Sequence, residues 1–247
     1  NKIINLLKSL KLNPSSLHEP LFKGNEIKYL KDCINSGYVS SIGKYVNIFE
    51  NKIKKLTNSK YAIAVINGTY GLEIGLRSLK VKNKEEILLP SLTFIATANA
   101  IHHSGGSPHF VDVDENNLGI CPIKLEKYLK RISIKKNGKL FNKKTTKQIK
   151  ALIVVHVFGF ASKLDDLKKI CKKYHLEMIE DAAESIGSYY KKKHLGTLGK
   201  IGVLSFNGNK TITCGNGGII LTSSKKIAKY VRHITTTAKV KHKYEYI

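Results

Sequence analysis

The sequence predicts an α/β domain with a mainly parallel sheet of about seven strands flanked by helices. Short apolar, β-branched runs recur along the chain, and a polar or helix-periodic stretch follows each of them. Continuous apolar strands that alternate with helices are typical of a parallel sheet buried on both faces. The seven runs are residues 62–66, 87–89, 109–113, 152–155, 176–179, 203–206 and 218–221.

Helix-periodic segments lie between several of these runs. Their apolar residues recur at three- and four-residue spacing, which predicts amphipathic helices packed on the sheet. These segments are residues 70–79, 94–102 and 164–174. Residues 130–150 are strongly basic and polar, so we expect an exposed excursion between two strands. Residues 227–247 start as a helix and then break off in the polar run 239–246.

The N-terminal part differs from this alternating pattern. Residues 1–12 have the spacing of an amphipathic helix, and residues 24–55 predict two helices joined by a Ser/Gly loop at 36–43. We therefore expect an N-terminal helical segment over residues 1–55 and the sheet domain over residues 56–247.

The composition is that of an ordinary folded domain. The chain has 247 residues, of which 42% are hydrophobic and 25% are charged. These values exclude a disordered or collagen-like chain, and the length suffices for a sizeable core. No apolar run approaches the ~20 residues that a membrane-spanning helix needs.

The net charge of +25 raises the alternative of a nucleic-acid-binding protein, but the kind of basic residue argues against it. Lys and Arg number 43 against 18 Asp and Glu, yet the only arginines are Arg77, Arg131 and Arg232. Arginine is the side chain that grips phosphates and guanine edges in pairs. The lysines are scattered, which is typical of solvated faces, and their field favours anionic ligands in general.

The cysteines favour a reducing compartment. Cys33, Cys121, Cys171 and Cys214 are few and unclustered, and they form neither a CxxC pair nor a metal-ligand spacing. We therefore expect a cytoplasmic protein that holds no metal at these residues, with no membrane or nucleic-acid partner.

A turn after the first apolar run could bind phosphate. The run ends just before Gly68 and Thr69, where a helix begins. Backbone N–H groups at a helix N-terminus, with a hydroxyl beside them, form a ready site for phosphate. The same turn is also typical of a plain helix cap, so this motif alone leaves both interpretations open.

An acidic pair ends another apolar run, at Glu180 and Asp181. Ligands of parallel α/β sheets bind outside the carboxyl ends of the strands, so an acid at this point is well placed to act. It could bind a cation, a sugar hydroxyl or a protonated ring nitrogen. The alternative is an N-cap for the following helix.

Lys210 lies in a glycine-framed loop after the run at 203–206 and differs in this respect from the scattered lysines. If its ammonium is partly desolvated, the neutral amine becomes a nucleophile toward carbonyl carbons. A phosphate turn, an acid at a strand end and a loop lysine occur in this order along the chain. Their combination supports a functional role for each motif more strongly than the motif does alone.

With these motifs in this order, the sequence resembles the pyridoxal-phosphate-dependent sugar aminotransferases of the DegT/DnrJ/EryC1/StrS group. The resemblance runs from about His18 to the end of the chain. The Glu-Ser pair after Asp-Ala-Ala and the run at 206–210 are similar to the sub-group that acts on precursors of bacillosamine and legionaminic acid. The matching segments are residues 17–20, 24–26, 40–46, 49–50, 67–69, 90–98, 110–114, 180–184 and 205–210.

The resemblance implies an aspartate-aminotransferase-like (fold type I) large domain with a mixed sheet, and pyridoxal 5'-phosphate as cofactor. Two catalytic roles follow from it: Lys210 would form the Schiff base and shuttle the proton, and Asp181 would pair with the pyridinium nitrogen.

The resemblance also implies how the rest of the cofactor would be bound. The backbone at Gly68, Thr69 and Tyr70 and the hydroxyl of Ser205 would hold the phosphate. The ring would lie between Ala183 and Phe94. Glu184 occupies a position near the phenolic oxygen where the group more often has Gln or His. Tyr70 replaces a small residue and is expected to narrow the site.

The implied activity is transfer of an amino group from an amino acid, with glutamate expected, to a UDP-linked 4-keto sugar for cell-surface glycan synthesis. A homodimer with shared active sites is implied as well. A segment that reaches the neighbouring subunit's phosphate is expected beyond Ile247, together with a small C-terminal domain. The alternatives are a dehydratase branch with histidine in place of Lys210, a catalytically idle ligand-binding or regulatory relative, and the basic nucleic-acid-binding protein.

Overall fold

The computed structural model describes residues 2–9, 19–236 and 238. The motif residues at 17–18 and the polar run at 239–246 lie outside the described residues. The helices are α1 Lys2–Ser9, α2 Glu26–Ser36, α3 Lys44–Thr57, α4 Gly68–Ser78, α5 Ile95–His103, α6 Pro122–Ile132, α7 Leu164–Tyr174 and α8 Lys225–Thr235. Of the helices in these described ranges, none has both the length and the hydropathy for a bilayer crossing.

The strands form one large mixed sheet and a small two-stranded ribbon. In chain order they are β1 Tyr61–Val65, β2 Glu86–Pro90, β3 Ser107–Val111, β4 Ser133–Lys136, β5 Lys139–Asn142, β6 Gln148–Val155, β7 Glu177–Asp181, β8 Tyr189–Tyr190, β9 Lys193–His194, β10 Ile201–Ser205 and β11 Gly218–Thr222. The main path through the large sheet is β1-β11-β10-β7-β6-β2-β3, and β8 pairs with β9 in the ribbon.

The predicted mainly parallel sheet is confirmed, and each of the seven apolar runs contributes one strand of its main path. The pairs β10–β7, β7–β6, β6–β2 and β2–β3 are parallel. Strand β11 is antiparallel to both β10 and β1, and it is the reversed strand of the path. The carboxyl ends of β1, β2, β6, β7 and β10 therefore meet at one edge, beside the first residue of β11.

The expected excursion over residues 130–150 is largely exposed, but it is wrong as a mere connection between strands, because it contains two strands of its own. Strands β4 and β5 form an antiparallel hairpin, and β5 pairs with β6, so the hairpin extends the sheet. Leu140 and Asn142 of β5 are buried, and the Asn142 amide donates to the carboxylate of Glu86 on β2. The two lysines of β4 are exposed, and the buried positions of β5 are only Leu140 and Asn142. An alternation of buried and exposed residues is therefore hard to see in the sequence of this hairpin.

Both faces of the sheet are covered by helices. Ile87 and Leu89 of β2 pack in the cluster that includes α4, α5 and α8, whereas Leu88 packs in the cluster with α6 and α7. Successive residues of a strand point to opposite faces, so an unbroken apolar run fills both layers. A third cluster packs Ile53 of α3 against Phe206, which follows β10.

A forked ion pair fastens α3 and α8 to the edge strand β1. Arg232 of α8 donates through Nη1 and Nη2 to the two carboxylate oxygens of Glu50 on α3, at 2.8 and 2.6 Å. The backbone N–H of Ala64 on β1 donates to the same carboxylate at 2.8 Å. Arginine rather than lysine makes such a two-bond contact, and it is one of three arginines in the chain.

The carboxylate of Glu180 organises the loop that leads into β10. It is fully buried and accepts hydrogen bonds from the backbone N–H groups of Gly196 at 2.9 Å and Leu198 at 2.6 Å, and from that of Gly199. It also accepts one from His156 Nε2 at 3.0 Å. Burial opposes ionisation, but these bonds outweigh it and lower the pKa of Glu180.

We predict that Glu180→Gln lowers the free energy of unfolding by about 3 kcal/mol, because an amide has one acceptor oxygen and turns N–H groups toward donors. Urea denaturation checks this value. The matched control is Glu177→Gln on the same strand, where the carboxylate is partly exposed and pairs with Lys200. That change is expected to cost less than about 1 kcal/mol. Equal losses in the two variants would contradict the assigned role of Glu180.

The stability difference between the parent protein and Glu180→Gln is expected to depend on pH. The lowered pKa of Glu180 makes its stabilisation complete above its ordinary value of 4.5 and lost as the pH falls below it. The stability difference between the parent protein and Glu180→Gln should therefore shrink on acidification. Denaturation curves recorded from neutral pH downward check this, and a difference that grows would contradict it.

Candidate active site

A cavity of about 420 Å³ opens at the edge where the parallel strands end. Its lining comes from the loops after β1, β2, β6, β7 and β10, which the sheet topology brings together. Such edges are where open α/β sheets bind ligands. Eight of the nine predicted site residues line this cavity, namely Gly68, Thr69, Phe94, Asp181, Ala183, Glu184, Ser205 and Lys210.

Tyr70 is the predicted residue that the structure does not place in the lining. Its backbone N–H donates to the side-chain oxygen of Asn67 at 2.8 Å, so the helix cap uses the donor that the sequence assigned to phosphate. Its ring packs against the core, and the expectation that Tyr70 narrows the site is wrong. Gly68 and Thr69 provide the two preceding N–H groups, which have no acceptor within helix α4.

The start of α4 approaches the end of β10 very closely. A Cβ atom at Gly68 would lie 3.0 Å from the Cβ of Ser205 and 3.3 Å from its hydroxyl oxygen. A side chain at position 68 would therefore displace Ser205. The glycine lets two backbone N–H groups, the hydroxyl of Ser205 and the positive end of the helix dipole share one corner of the cavity.

Asp181, the last residue of β7, presents a buried carboxylate to the cavity. Thr97 Oγ1 donates to Asp181 Oδ2 at 2.7 Å, and the backbone N–H of Ala183 donates to Oδ1 at 3.2 Å. Burial raises the pKa of Asp181, although these two bonds and the charge of Lys210 oppose the shift. A cationic N–H donor in the cavity would supply the stabilisation that the carboxylate lacks.

Lys210 extends into the cavity from the loop after β10, and its ammonium group contacts the carboxylate of Glu184. The distance from Lys210 Nζ to Glu184 Oε1 is 3.2 Å. The other oxygen, Oε2, accepts the backbone N–H of Phe158 at 2.9 Å. Phe158 adopts the left-handed region at φ 51°, which is uncommon outside glycine and is a conformation found more often at functional sites.

Phe94 and Ala183 contribute apolar parts of the lining. Phe94 precedes α5, and 74% of its surface is exposed, which leaves the ring available to a ligand. Ala183 follows Asp181 by two residues and presents only a methyl group. A flat ring would therefore find room beside Ala183 without a competing side chain.

Two residues that bind the buried carboxylates were not predicted from the sequence: His156 contacts Glu180, and Thr97 contacts Asp181. His156 lines the cavity, is buried, and accepts the Ser162 N–H at Nδ1 at 3.3 Å, so its proton lies on Nε2 and points to Glu180. A polar residue directly after the apolar run at 152–155 was the available signal. Thr97 lies within a helix, where no local pattern marks it.

Asparagines around Lys210 were missed as well. Asn207, Asn209 and Asn216 all line the cavity, and Asn67 joins them from the start of α4. Asn is common in glycine-rich turns because its side chain hydrogen-bonds to the nearby backbone. In the sequence these residues therefore indicate a turn and not a binding site. Their amides add uncharged hydrogen-bonding groups to a lining that also contains apolar side chains and the charged groups of Asp181, Glu184 and Lys210.

The overall architecture is shared with solved aminotransferase structures. A DegT DnrJ EryC1 StrS aminotransferase from Brucella abortus superposes with a TM-score of 0.82 at 28% identity, covering 90% of this chain and 57% of that one. The structure of NtdA from Bacillus subtilis with bound cofactor PMP has a TM-score of 0.76 at 26% identity, covering 96% and 52%. The predicted fold class is thereby confirmed.

Sequence comparison agrees with the fold. The GDP-perosamine synthase of Vibrio cholerae is 36% identical over 208 residues, which cover 84% of this chain and 52% of that enzyme. The chain thus spans about half the length of this relative. The family model described as the DegT/DnrJ/EryC1/StrS aminotransferase family matches residues 20–246. The chain belongs to the DegT/DnrJ/EryC1/StrS aminotransferase family.

Proposed function

We propose that this chain binds pyridoxal 5'-phosphate and belongs to an enzyme that transfers an amino group from an amino acid to a nucleotide-linked keto-sugar. The observation that supports this most is the meeting of three groups in one cavity: the amine of Lys210, the buried carboxylate of Asp181 and the N-terminus of α4. Each matches one polar part of the cofactor, namely its aldehyde, its ring nitrogen and its phosphate.

The residues present fit this cofactor chemically. Asp181 is buried with too few donors to offset its desolvation, which suits a protonated ring nitrogen. Gly68 lets the N-terminus of α4 lie against Ser205, where a Cβ atom would press on the Ser205 side chain, and the helix N-terminus favours a phosphate there. Lys210 is 14% exposed, so its amine faces the cavity rather than bulk solvent.

The roles of the chain's own residues follow from these positions. When bound, the cofactor supplies an electron sink that stabilises negative charge on the carbon next to the transferred nitrogen. Asp181 would hold the ring nitrogen in its protonated form. Gly68, Thr69 and Ser205 would orient the phosphate. Lys210 would attach the cofactor and then move a proton at Nζ.

For the substrates, we propose glutamate as donor and a UDP-linked 4-keto sugar as acceptor. The resemblance of residues 180–185 and 206–210 to the bacillosamine and legionaminic-acid sub-group supports UDP. The names of GDP-perosamine synthases, which are 36% identical, support GDP instead as the competing outcome. The amino group would end on the sugar and the donor would leave as its 2-oxo acid.

We also propose a homodimer in which residues 1–55 form a helical segment and residues 56–247 the cofactor-binding large domain. Ile27, Leu30 and Ile34 are exposed and share one face of α2 by their spacing. An exposed apolar face of this kind is typical of a surface that packs against another protein chain. A cytoplasmic location is proposed from the four free cysteines, since reducing compartments preserve thiols.

Lys210→Ala is predicted to abolish covalent attachment of pyridoxal phosphate. The purified protein is incubated with the cofactor, reduced with borohydride and digested, and the modified peptide is identified by mass spectrometry. The parent protein should carry the label on Lys210 and absorb in the near-ultraviolet to visible range. Lys169→Ala, on the exposed side of α7, is the control and should label like the parent. A label that persists in Lys210→Ala would overturn the assignment.

Asp181→Asn should have opposite effects on the free and cofactor-bound protein. In the free protein the raised pKa means that the ionised carboxylate is destabilising above its ordinary pKa, so its removal should leave thermal stability equal or higher. Cofactor binding should weaken about 10- to 100-fold, because a charge-assisted bond is lost. Equilibrium dialysis and thermal denaturation check both effects. Unchanged affinity, or a large loss of stability without cofactor, would contradict this account.

The substrate proposal predicts one preferred acceptor in a panel of UDP-, GDP- and TDP-linked 4-keto sugars with glutamate. Product analysis by mass spectrometry should show an amino sugar and 2-oxoglutarate in equal amounts with the UDP compound. A GDP product would replace the proposed nucleotide. Absence of any amino sugar, together with full labelling of Lys210, would leave cofactor binding intact and refute the proposed acceptor class.

A further inference from the structure

A second cavity of about 350 Å³ adjoins the candidate active site. Four residues belong to the linings of both cavities, namely Phe158, Glu184, Asn209 and Lys210. The groups proposed to hold the ring nitrogen and the phosphate, Asp181 and the start of α4, line the first cavity. A cofactor held by these groups would leave the second cavity to the part of a substrate that extends beyond its reacting carbon.

Phe158 is the aromatic residue that both linings share. It is 71% exposed, so its ring is available for contact with a ligand. Its backbone adopts the left-handed region, with φ 51° and ψ 27°. This conformation is unfavourable for a bulky side chain, and such residues are found more often at ligand-binding sites than elsewhere.

The backbone that carries this ring is fixed by its neighbours. The N–H of Phe158 donates to Glu184 Oε2 at 2.9 Å, and the other oxygen of Glu184 lies 3.2 Å from Lys210 Nζ. A Cβ atom at Gly159 would lie 2.8 Å from the carbonyl oxygen of Glu184, so the next residue packs directly against the same segment. A ring that is already held in place loses little conformational freedom when a ligand binds.

The polar groups of the second cavity suit an uncharged, hydroxylated ligand. The carboxylates of Glu19 and Glu184 accept hydrogen bonds when ionised and donate none. Among the described residues of this lining, Lys210 is the only cation, and Glu184 already contacts it. An acidic ligand would therefore meet two like charges, whereas sugar hydroxyls would find acceptors at Glu19 and at the side chains of Asn209 and Thr211.

We propose that the sugar ring of the acceptor substrate packs on Phe158 in the second cavity, with its hydroxyl groups bound by Glu19 and Asn209. The inference rests on the proposed function for the reaction itself. A sugar presents a face of C–H groups to an aromatic ring, and a few polar side chains around that ring fix its orientation. Glutamate, with its second carboxylate, is disfavoured beside Glu19 and Glu184, so the two substrates differ in their dependence on Phe158.

The test measures the two substrates separately. Protein incubated with pyridoxal phosphate is mixed with glutamate alone, and the absorbance change is followed. The keto-sugar is then varied at saturating glutamate. Phe158→Ala should raise the KM for the keto-sugar at least about tenfold and change both kcat and the glutamate step less than about twofold, because binding rather than chemistry is lost. Phe158→Tyr keeps the ring and should behave like the parent.

Phe160→Ala is the matched control. Phe160 follows Phe158 by two residues and is 67% exposed, but the described residues that line the two cavities do not include it. This variant should keep the parent KM, and both alanine variants should unfold close to the parent temperature, because each removes an exposed ring. An unchanged KM in Phe158→Ala, or an equal rise in Phe160→Ala, would overturn the proposal. A lower oligomeric state of Phe158→Ala would assign the ring to a subunit contact and also overturn it.

A binding measurement separates this inference from the proposed function. UDP-N-acetylglucosamine and GDP-mannose are compared with UDP and GDP by titration calorimetry. In the parent protein the sugar should add affinity, and Phe158→Ala should remove most of that gain while the affinity for the nucleotide alone stays the same. Sugar nucleotides that bind no more tightly than the nucleotides alone would contradict the role of Phe158.

The two proposals can fail independently. If the sugar-dependent affinity is lost in Phe158→Ala but borohydride reduction finds no cofactor on Lys210, the role of Phe158 stands and the proposed reaction falls. If an amino sugar forms with the same acceptor KM in the parent and in Phe158→Ala, the reaction stands and the role of Phe158 falls.

Discussion

Burial of two adjacent carboxylates at the end of β7 is the constraint around which the cavity edge is arranged. Strand geometry sends the side chains of Glu180 and Asp181 to opposite faces of the sheet. On one face, Glu180 is satisfied by His156 and by backbone N–H groups of the loop before β10. On the other, Asp181 has Thr97 and one backbone N–H and faces the cavity. Glu180 thus stabilises the loop before β10, whereas the carboxylate of Asp181 faces the cavity and is accessible to a ligand.

The same topology explains why distant residues converge. Parallel strands end at one edge, and β11 returns antiparallel, so the loop of Lys210 between β10 and β11 lines the same cavity as Gly68. The net charge of +25 is spread over the chain and does not by itself specify a site. Lys210 differs from the many surface lysines because it is sheltered and paired inside the cavity, where its charge is less screened.

Much of the fold and of the cavity lining could be predicted from the sequence, because the strands are buried on both faces and appear as unbroken apolar runs. The hairpin at 133–142 could not, since its lysines obscure the alternation and its inward groups bind a partner far along the chain. The hydrogen bond between His156 and Glu180 and the use of the Tyr70 N–H by a cap depend on contacts that only the folded chain shows. The roles proposed for Lys210 and Asp181 come from resemblance and chemistry, and stay predictions.

The central claim is that one cavity places Asp181, Lys210 and the start of α4 around a single cofactor. A crystal structure of the protein soaked with pyridoxal phosphate tests it most directly. The account predicts the ring nitrogen within hydrogen-bond distance of the Asp181 carboxylate, the phosphate at Gly68, Thr69 and Ser205, and a bond between Lys210 Nζ and the aldehyde carbon. A phosphate bound elsewhere, or a ring nitrogen turned away from Asp181, would contradict it.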